Sequence, residues 1–376
     1  MKRAAIAGLA VVWSTAAAQQ RPEIHLAPAS NIEFGADFTA LLGMRELPDG
    51  RLLLSQRGEP GLAVADFRDG SLRPIGRKGK GPGEYELAYA IIALGGDSTL
   101  VCDFAYRWLI LVGARVVQTV SPGDSAVRAI TYACPLGADG TGRMLTRDFR
   151  PRRNSAENDS VDLAIVDRPT GRKTHVGSLR LHPPRTGAPQ SVEVGGGVGF
   201  RVVPLDVAEE GLLFRDGWMG VARIQPYRVD WRTPEGEWIR GRPLPFHAIP
   251  FTERERRAYA RGRRGVASAP VWPRDIPPFD KGPGALLPTP EGLLAVRRVP
   301  SADAPETRVD LVDRTGTLRR VIVLGVRERI LGFGARSVYV VRVDADDLEY
   351  VRRHPWPRDV GLSPTGNLDR RSGGAR

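Results

Sequence analysis

Three aspartates stand at the ends of short apolar runs: Asp103 closes STLVCD, Asp148 closes GRMLTRD and Asp216 closes GLLFRD. Calcium takes oxygen ligands, and asparagine is scarce (Asn31, Asn154, Asn158, Asn367), so these carboxylates are the donors from which a calcium site or a seat for a basic group could form. The same position suits a structural task. An aspartate at a strand end accepts turn amides or pairs with an arginine, as Asp103 can with Arg107 four residues on, and that role is the expectation for all three. The five histidines, His25, His175, His182, His247 and His354, offer neither H-E-x-x-H nor an i, i+4 pair, which leaves zinc hydrolysis unsupported. His182 and His247 lie in or beside long inserted loops and are the two to test. No G-x-S-x-G elbow is present, which removes that route to a serine hydrolase.

The string GRKGKGPGE carries lysines among glycines, as phosphate-cradling loops do, but it lacks the G-x-x-x-x-G-K-[ST] spacing and a Ser or Thr for a metal. It is expected to be a structural turn in which Gly79, Gly81 and Gly83 supply unusual backbone angles and Glu84 caps neighbouring amides, leaving Arg77, Lys78 and Lys80 to face solvent. The formal charge of +12 invites a nucleic-acid reading. Only Lys2, Lys78, Lys80, Lys173 and Lys281 are lysines, the arginines are scattered among 43 acids, and no zinc-finger, RNP or basic-zipper spacing occurs, so nucleic acid is not the expected partner.

The elements that must position these residues are read from composition and repetition. Gly 43 and Pro 31 make about a fifth of 376 residues with no Gly-X-Y period, which favours a turn-rich all-β chain. A short apolar strand, a Gly- or Asp-containing turn and a second strand recur six times, the second strands being proposed at 50–56, 98–103, 142–148, 211–216, 292–298 and 337–343. First strands are proposed at 41–47, 90–94, 129–136, 200–207, 285–289 and 329–333, with third and fourth strands after further turns. Four-stranded antiparallel units repeated radially are propeller blades, so the fold expected is an all-β, six-bladed β-propeller with loop insertions and one short helix on one face. GRKGKGPGEY at 76–85 resembles the G-x-x-G-x-G-P-G-E-[FY] signature of secreted bacterial six-bladed β-propellers, which are similar to NHL-repeat and TolB-like propellers. Asp103 and Arg107 resemble the Asp-x-x-x-Arg pairing of NHL units, whereas Gln56, Arg297 and Arg342 depart from it.

The sixth unit runs out of residues after its third strand, and residues 24–26 are expected to supply its missing outer strand. Residues 1–18 read as a Sec signal peptide, with a charged start, an apolar run at 4–13 and an A-x-A site at 16–18. That run is too short to span a membrane, and the expected address is periplasmic or extracellular. The propeller domain is expected over 19–356 and a disordered tail over 357–376. Cys102 and Cys134 are open to two readings, a disulfide or two buried thiols.

Loops after second and fourth strands share one face, which gathers 149–160, 181–199 and 246–284 with the 76–85 loop. In the last insertion Thr252 and Glu255 make a capping-box start for a basic helix, whose Arg256 and Arg257 could form an anion- or partner-binding lid. The function expected is a binding or protein-interaction module for a protein or an anionic glycan or peptide. The rivals are a metal-assisted lyase or lactone hydrolase, and a scaffold of an envelope complex. No cofactor is expected unless the carboxylates hold calcium.

Overall fold

In the computed structural model, the residues described are 23–26, 32–120, 134–148, 160–182, 191–194, 197–200, 207–261, 272–281 and 284–356. The leader, the 357–376 tail and most of the 149–160 loop lie outside them. Six four-stranded units follow one another around an axis, as expected of a six-bladed β-propeller. Blade 1 is Leu41–Glu46, Leu52–Gln56, Leu62–Asp66 and Ser71–Pro74; blade 2 is Ala88–Gly95, Ser98–Asp103, Trp108–Val112 and Arg115–Val120. Blade 3 is built on Arg143–Asp148, Ser160–Asp167 and Lys173–His182, with Val207–Ala208 bridged antiparallel to the end of the last. Among the described residues its inner strand shows a bridge between Ala138 and Met144 and a hydrogen bond from Leu136 N–H to Leu145 O. Blade 4 is Glu210–Leu213, Met219–Arg223, Arg228–Arg232 and Trp238–Ile239. Blade 5 is Leu286–Pro288, Leu294–Arg297, Thr307–Val312 and Leu318–Leu324.

Blade 6 corrects the expected closure. Its inner three strands are Glu328–Phe333, Ser337–Val343 and Glu349–Pro355, and the outer strand that closes the ring is Ile32–Phe38, antiparallel to the third. Glu23–His25 instead lies parallel to Leu318–Leu324 as a fifth strand of blade 5. Phe34 and Phe38 explain the difference: both are buried in the core between blades 6 and 1 with Leu331, Tyr339 and Leu52. The shorter segment offers only Ile24 and a partly buried Leu26 to the core between blades 5 and 6.

Burial sorts the strands by position in the blade. Leu52–Gln56 and Leu62–Asp66 are buried at every residue because neighbouring blades cover both faces of the sheet, while the outer strands Ser71–Pro74 and Arg115–Val120 are largely exposed. Each interblade core draws on two sheets: Leu53, Leu62 and Val64 of blade 1 meet Val101, Leu109 and Leu111 of blade 2. Each such leucine contributes about 1.5–3 kcal/mol by burial.

The turn between first and second strands has one geometry in blades 1, 3, 4 and 5. Leu47, Asp139, Phe214 and Thr289 each donate to the carbonyl four residues on, and Gly50, Gly142, Gly217 and Gly292 close back at φ near +80 to +86, a region only glycine enters without strain. Phe214–Trp218 is therefore the inner turn of blade 4. The run 211–216, expected to be a second strand, holds the innermost one, and Met219–Arg223 is the second. Cys102 and Cys134, 32 residues apart, are joined as a disulfide that ties blade 2 to the start of blade 3.

Candidate functional site

Strands alternate in direction, so connections after second and fourth strands emerge on one face, with the 76–85 loop and the long insertions among them. At its blade 2 sector Asp103 organises the loop. Its Oδ1 accepts the amides of Glu86 and Leu87 at 2.9 and 2.8 Å, and its Oδ2 accepts Arg107 Nε and Nη2 at 3.1 and 2.8 Å. Arg107 also donates to the carbonyls of Lys80 and Gly79, both at 3.0 Å. The structural role expected of Asp103 is the one found. Glu84 accepts Gly81 N–H at 2.7 Å and Arg77 Nε at 2.7 Å, and these two partners hold its carboxyl below the ordinary range. Positive φ falls at Gly76 and Gly83 rather than at Gly79 and Gly81; at Gly79 a Cβ would sit 2.1 Å from Glu84 Oε2, so any side chain there displaces that carboxylate from its bonds. Lys78 and Lys80 are exposed, and Arg77 is exposed beside Glu84.

The connection between Asp103 and Arg107 carries two residues that sequence reasoning passed over. Phe104 is 64% exposed and Tyr106 58% exposed, and Tyr106 holds φ 59, which is costly for a bulky side chain. Phe104 N–H is bonded to Leu87 O and Tyr106 N–H to Asp103 O, so both rings are presented from a fixed backbone. Their signal was the pair of aromatics inside the Asp-x-x-x-Arg spacing.

Toward the axis the same face carries interblade ion pairs. Arg147, at the end of a blade 3 strand, pairs with Glu210 at the start of blade 4's inner strand; burial pushes the Glu210 carboxyl up while Arg147 and Lys281 oppose it. Arg297 of blade 5 donates to Asp280 at 2.9 Å, and Arg329 of blade 6 donates to Glu349 at 2.8 Å and to Leu41 O at 2.8 Å. Burial, opposed by Asp280 and reinforced by Arg329, leaves the Arg297 guanidinium below its ordinary value. Arg297, noted above only as a departure from Asp, thus belongs to these ion pairs; Arg147, Glu210, Asp280 and Arg329 gave no local sequence signal.

The 246–284 insertion is fixed to the blades. Phe279 and Phe246 pack on Tyr227, whose hydroxyl donates to Asp310 at 2.7 Å, and Arg298 donates to the same carboxylate at 2.8 Å. The helix Glu253–Arg261 follows Thr252, but Glu255 does not close a capping box: its oxygens accept Ala302 N–H at 3.0 Å, tying the helix to the blade 5 loop. Arg254 pairs with Asp303 of that loop. Trp272 stacks on Phe251 and meets Tyr259 edge-on, and Arg256 lies over the Trp272 ring at 5.7 Å beside Glu253. Arg257 is exposed and donates to Glu253 O at 3.5 Å. His247 is exposed on the approach to this helix, and His182 pairs in register with Val207.

The three carboxylates do not meet. Asp148 pairs with Lys173 at 3.2 Å. Asp216, expected on the insertion face, lies in the inner turn of blade 4 on the opposite face, because that blade's strands are offset by one; there it pairs with Arg314, which stacks on Trp218 at 4.8 Å. Among the described residues no three His, Cys, Asp or Glu side chains gather in a way that could hold a metal ion, and no helix is long and apolar enough to cross a membrane.

No protein-family model matches the chain, and no curated protein matches it in sequence. Solved structures match it in fold. A protein from Bacteroides fragilis is 12% identical with a TM-score of 0.48, covering 89% of this chain and 97% of its own. A member of the DUF4221 family from Bacteroides vulgatus is 8% identical with a TM-score of 0.43, covering 88% and 97%. A catalytically inactive virginiamycin B lyase from Staphylococcus aureus, solved with quinupristin, is 8% identical with a TM-score of 0.44, covering 87% and 98%. At these values no residue role or activity passes from them to this chain.

Proposed function

We propose that the chain is an exported β-propeller binding module that takes an acidic segment of a protein partner on its insertion-bearing face. The observation that carries the reading is the blade 2 sector of that face. Phe104 and Tyr106 are exposed on a backbone fixed by Asp103 and Arg107, beside exposed Lys78 and Lys80. Aromatic and cationic residues held rigidly before binding are the composition of interface hot spots, since little side-chain entropy remains to be lost. The +12 charge favours an acidic partner. The leader-like N-terminus and the Cys102–Cys134 disulfide support an oxidising, exported setting. The signature at 76–85 supports kinship with the secreted six-bladed propellers that it resembles. Asp103 is engaged by four donors and Asp216 lies on the other face, which leaves the metal-assisted lyase or lactonase reading with Asp148 of its three donors.

Titration of residues 19–376 with a labelled Glu-Leu repeat peptide tests this. Binding that weakens at least tenfold in Phe104→Ala and falls with salt is expected. Equal binding of wild type and Phe104→Ala, or preference for oligogalacturonate over the peptide, would overturn it.

A further inference from the structure

Outer edges of this propeller already take extra strands. Glu23–His25 lies parallel to the outer strand of blade 5, paired with Val321–Val323, and Val207–Ala208 lies antiparallel to the end of Lys173–His182 on blade 3. The segment on blade 5 shows what such an edge selects. Ile24 is buried with Leu311 and Ile322, while Glu23 pairs with Arg308 of the same blade, so an acid and an apolar residue alternate along the added strand. Of the other outer edges, Ser71–Pro74 ends in proline, Trp238–Ile239 has two residues, and Ile32–Phe38 carries Glu33 and Asp37 with a break in register between them. Proline, shortness, charge and irregularity all blunt an edge against pairing. Arg115–Val120 in blade 2 has six residues with no proline and no acid, and among the described residues it pairs on one side only, with Trp108–Val112.

That strand is held in place before anything joins it. Val116 packs on the core shared with blade 1 and Val120 on the core shared with blade 3, while Val117 is 46% exposed and Gln118 is exposed. Val117 is a bulge, and a bulge leaves such an edge usable: the outer strand of blade 5 is bulged at Arg319 and takes Glu23–His25 from Val321 onward. Cations stand at both ends. Arg115 is exposed at the start, and at the other end Gly83 N–H donates to Thr119 Oγ1 at 3.1 Å, which joins the strand to the loop of Lys78 and Lys80. This second end lies on the insertion-bearing face, since Val120 is in register with Trp108, the residue that follows the turn from Asp103 to Arg107. We propose that the acidic partner segment binds as a fifth strand on Arg115–Val120, its backbone paired to the open edge, its apolar residues against Val117 and its acids toward Arg115, Lys78 and Lys80. Main-chain bonds then supply affinity, and alternate side chains supply selection for acid-apolar alternation. The inference deepens the reading of this protein as a binder of an acidic protein segment, and rests on that reading for the class of partner.

The test is amide hydrogen exchange of residues 19–376 with and without a saturating Glu-Leu repeat peptide, joined to titration of that peptide N-methylated at every leucine or at every glutamate. Pairing takes the edge amides out of water, so exchange within residues 115–120 should slow by about tenfold or more. Alternate amides of a strand point to opposite edges, so one methylated peptide should lose affinity by about tenfold or more and the other keep it. Unchanged exchange at 115–120 with the unmodified peptide bound, or equal affinities of the two methylated peptides, would overturn the added strand and leave the Phe104 reading standing. Protection at 115–120 with undiminished affinity in Phe104→Ala would uphold the added strand and overturn the aromatic anchor, so the two failures are seen separately. Protection of this edge that rises with protein concentration in the absence of peptide would place a second copy there and overturn the acidic partner. A peptide that does not bind overturns both readings.

Discussion

Asp103 and Arg107 do two jobs at once, closing the 76–85 loop from beneath and holding the aromatics between them. Both are buried, so Asp103→Ala strands the guanidinium and should lower the unfolding free energy by about 3–5 kcal/mol in a denaturant titration. Tyr106 makes the opposite prediction. Its φ of 59 is strain that a glycine would not feel, so Tyr106→Gly should raise stability by about 0.5–1 kcal/mol while reducing peptide binding, both measurable on one preparation. Such a trade is expected where a residue serves recognition ahead of folding. The Asp103–Arg107 pair was legible because its partners lie four residues apart across one tight turn. Arg147 and Glu210 are 63 residues apart, and Arg297 and Asp280 17, so only the closed ring brings them together.

Strands were legible wherever an apolar run ended in a Gly-containing turn, which recovered most second strands. Blade 4 failed because GLLFRDGWMGV holds two short strands around one turn, whereas most of the first strand expected for blade 3 at 129–136 lies outside the described residues. Closure failed for a similar reason: Ile32–Phe38 begins exposed and carries Gly35, a weak strand on its face, yet it buries Phe34 and Phe38. That strand is also pinned by charge. Glu33 accepts Arg342 at 3.0 Å and Arg352 at 2.6 Å, and its carboxyl is held below the ordinary 4.5, chiefly by the bond from Arg342 against the cost of burial. A depressed carboxylate stabilises the fold above the unfolded value, and that contribution is lost as pH falls from 4.5 through the lower folded value. The melting temperature should therefore drop across this acid window, and Glu33→Gln should flatten part of the drop. The disulfide spans 32 residues of sequence, and replacing Cys102 and Cys134 together by alanine should cost about 3–4 kcal/mol in the same unfolding assay.

At the scale of the molecule, closure by Ile32–Phe38 joins an early strand to the last strand of the described chain in blade 6, and each blade buries its apolar faces against the next. The frame leaves one face for elaboration, where the 246–284 insertion is fastened by Phe279, Glu255 and Arg254 rather than hung loosely. Fold class followed from periodicity and turn chemistry. The site did not, because it is assembled from loops of different blades whose order around the axis no local pattern records. The direct measurement of the central claim is calorimetric titration of residues 19–376 with the Glu-Leu peptide at two salt concentrations, repeated with Phe104→Ala and with Lys78→Glu/Lys80→Glu. The account predicts binding to the wild type that weakens with salt and falls at least tenfold in each variant. Affinity that is indifferent to all of these changes would contradict it.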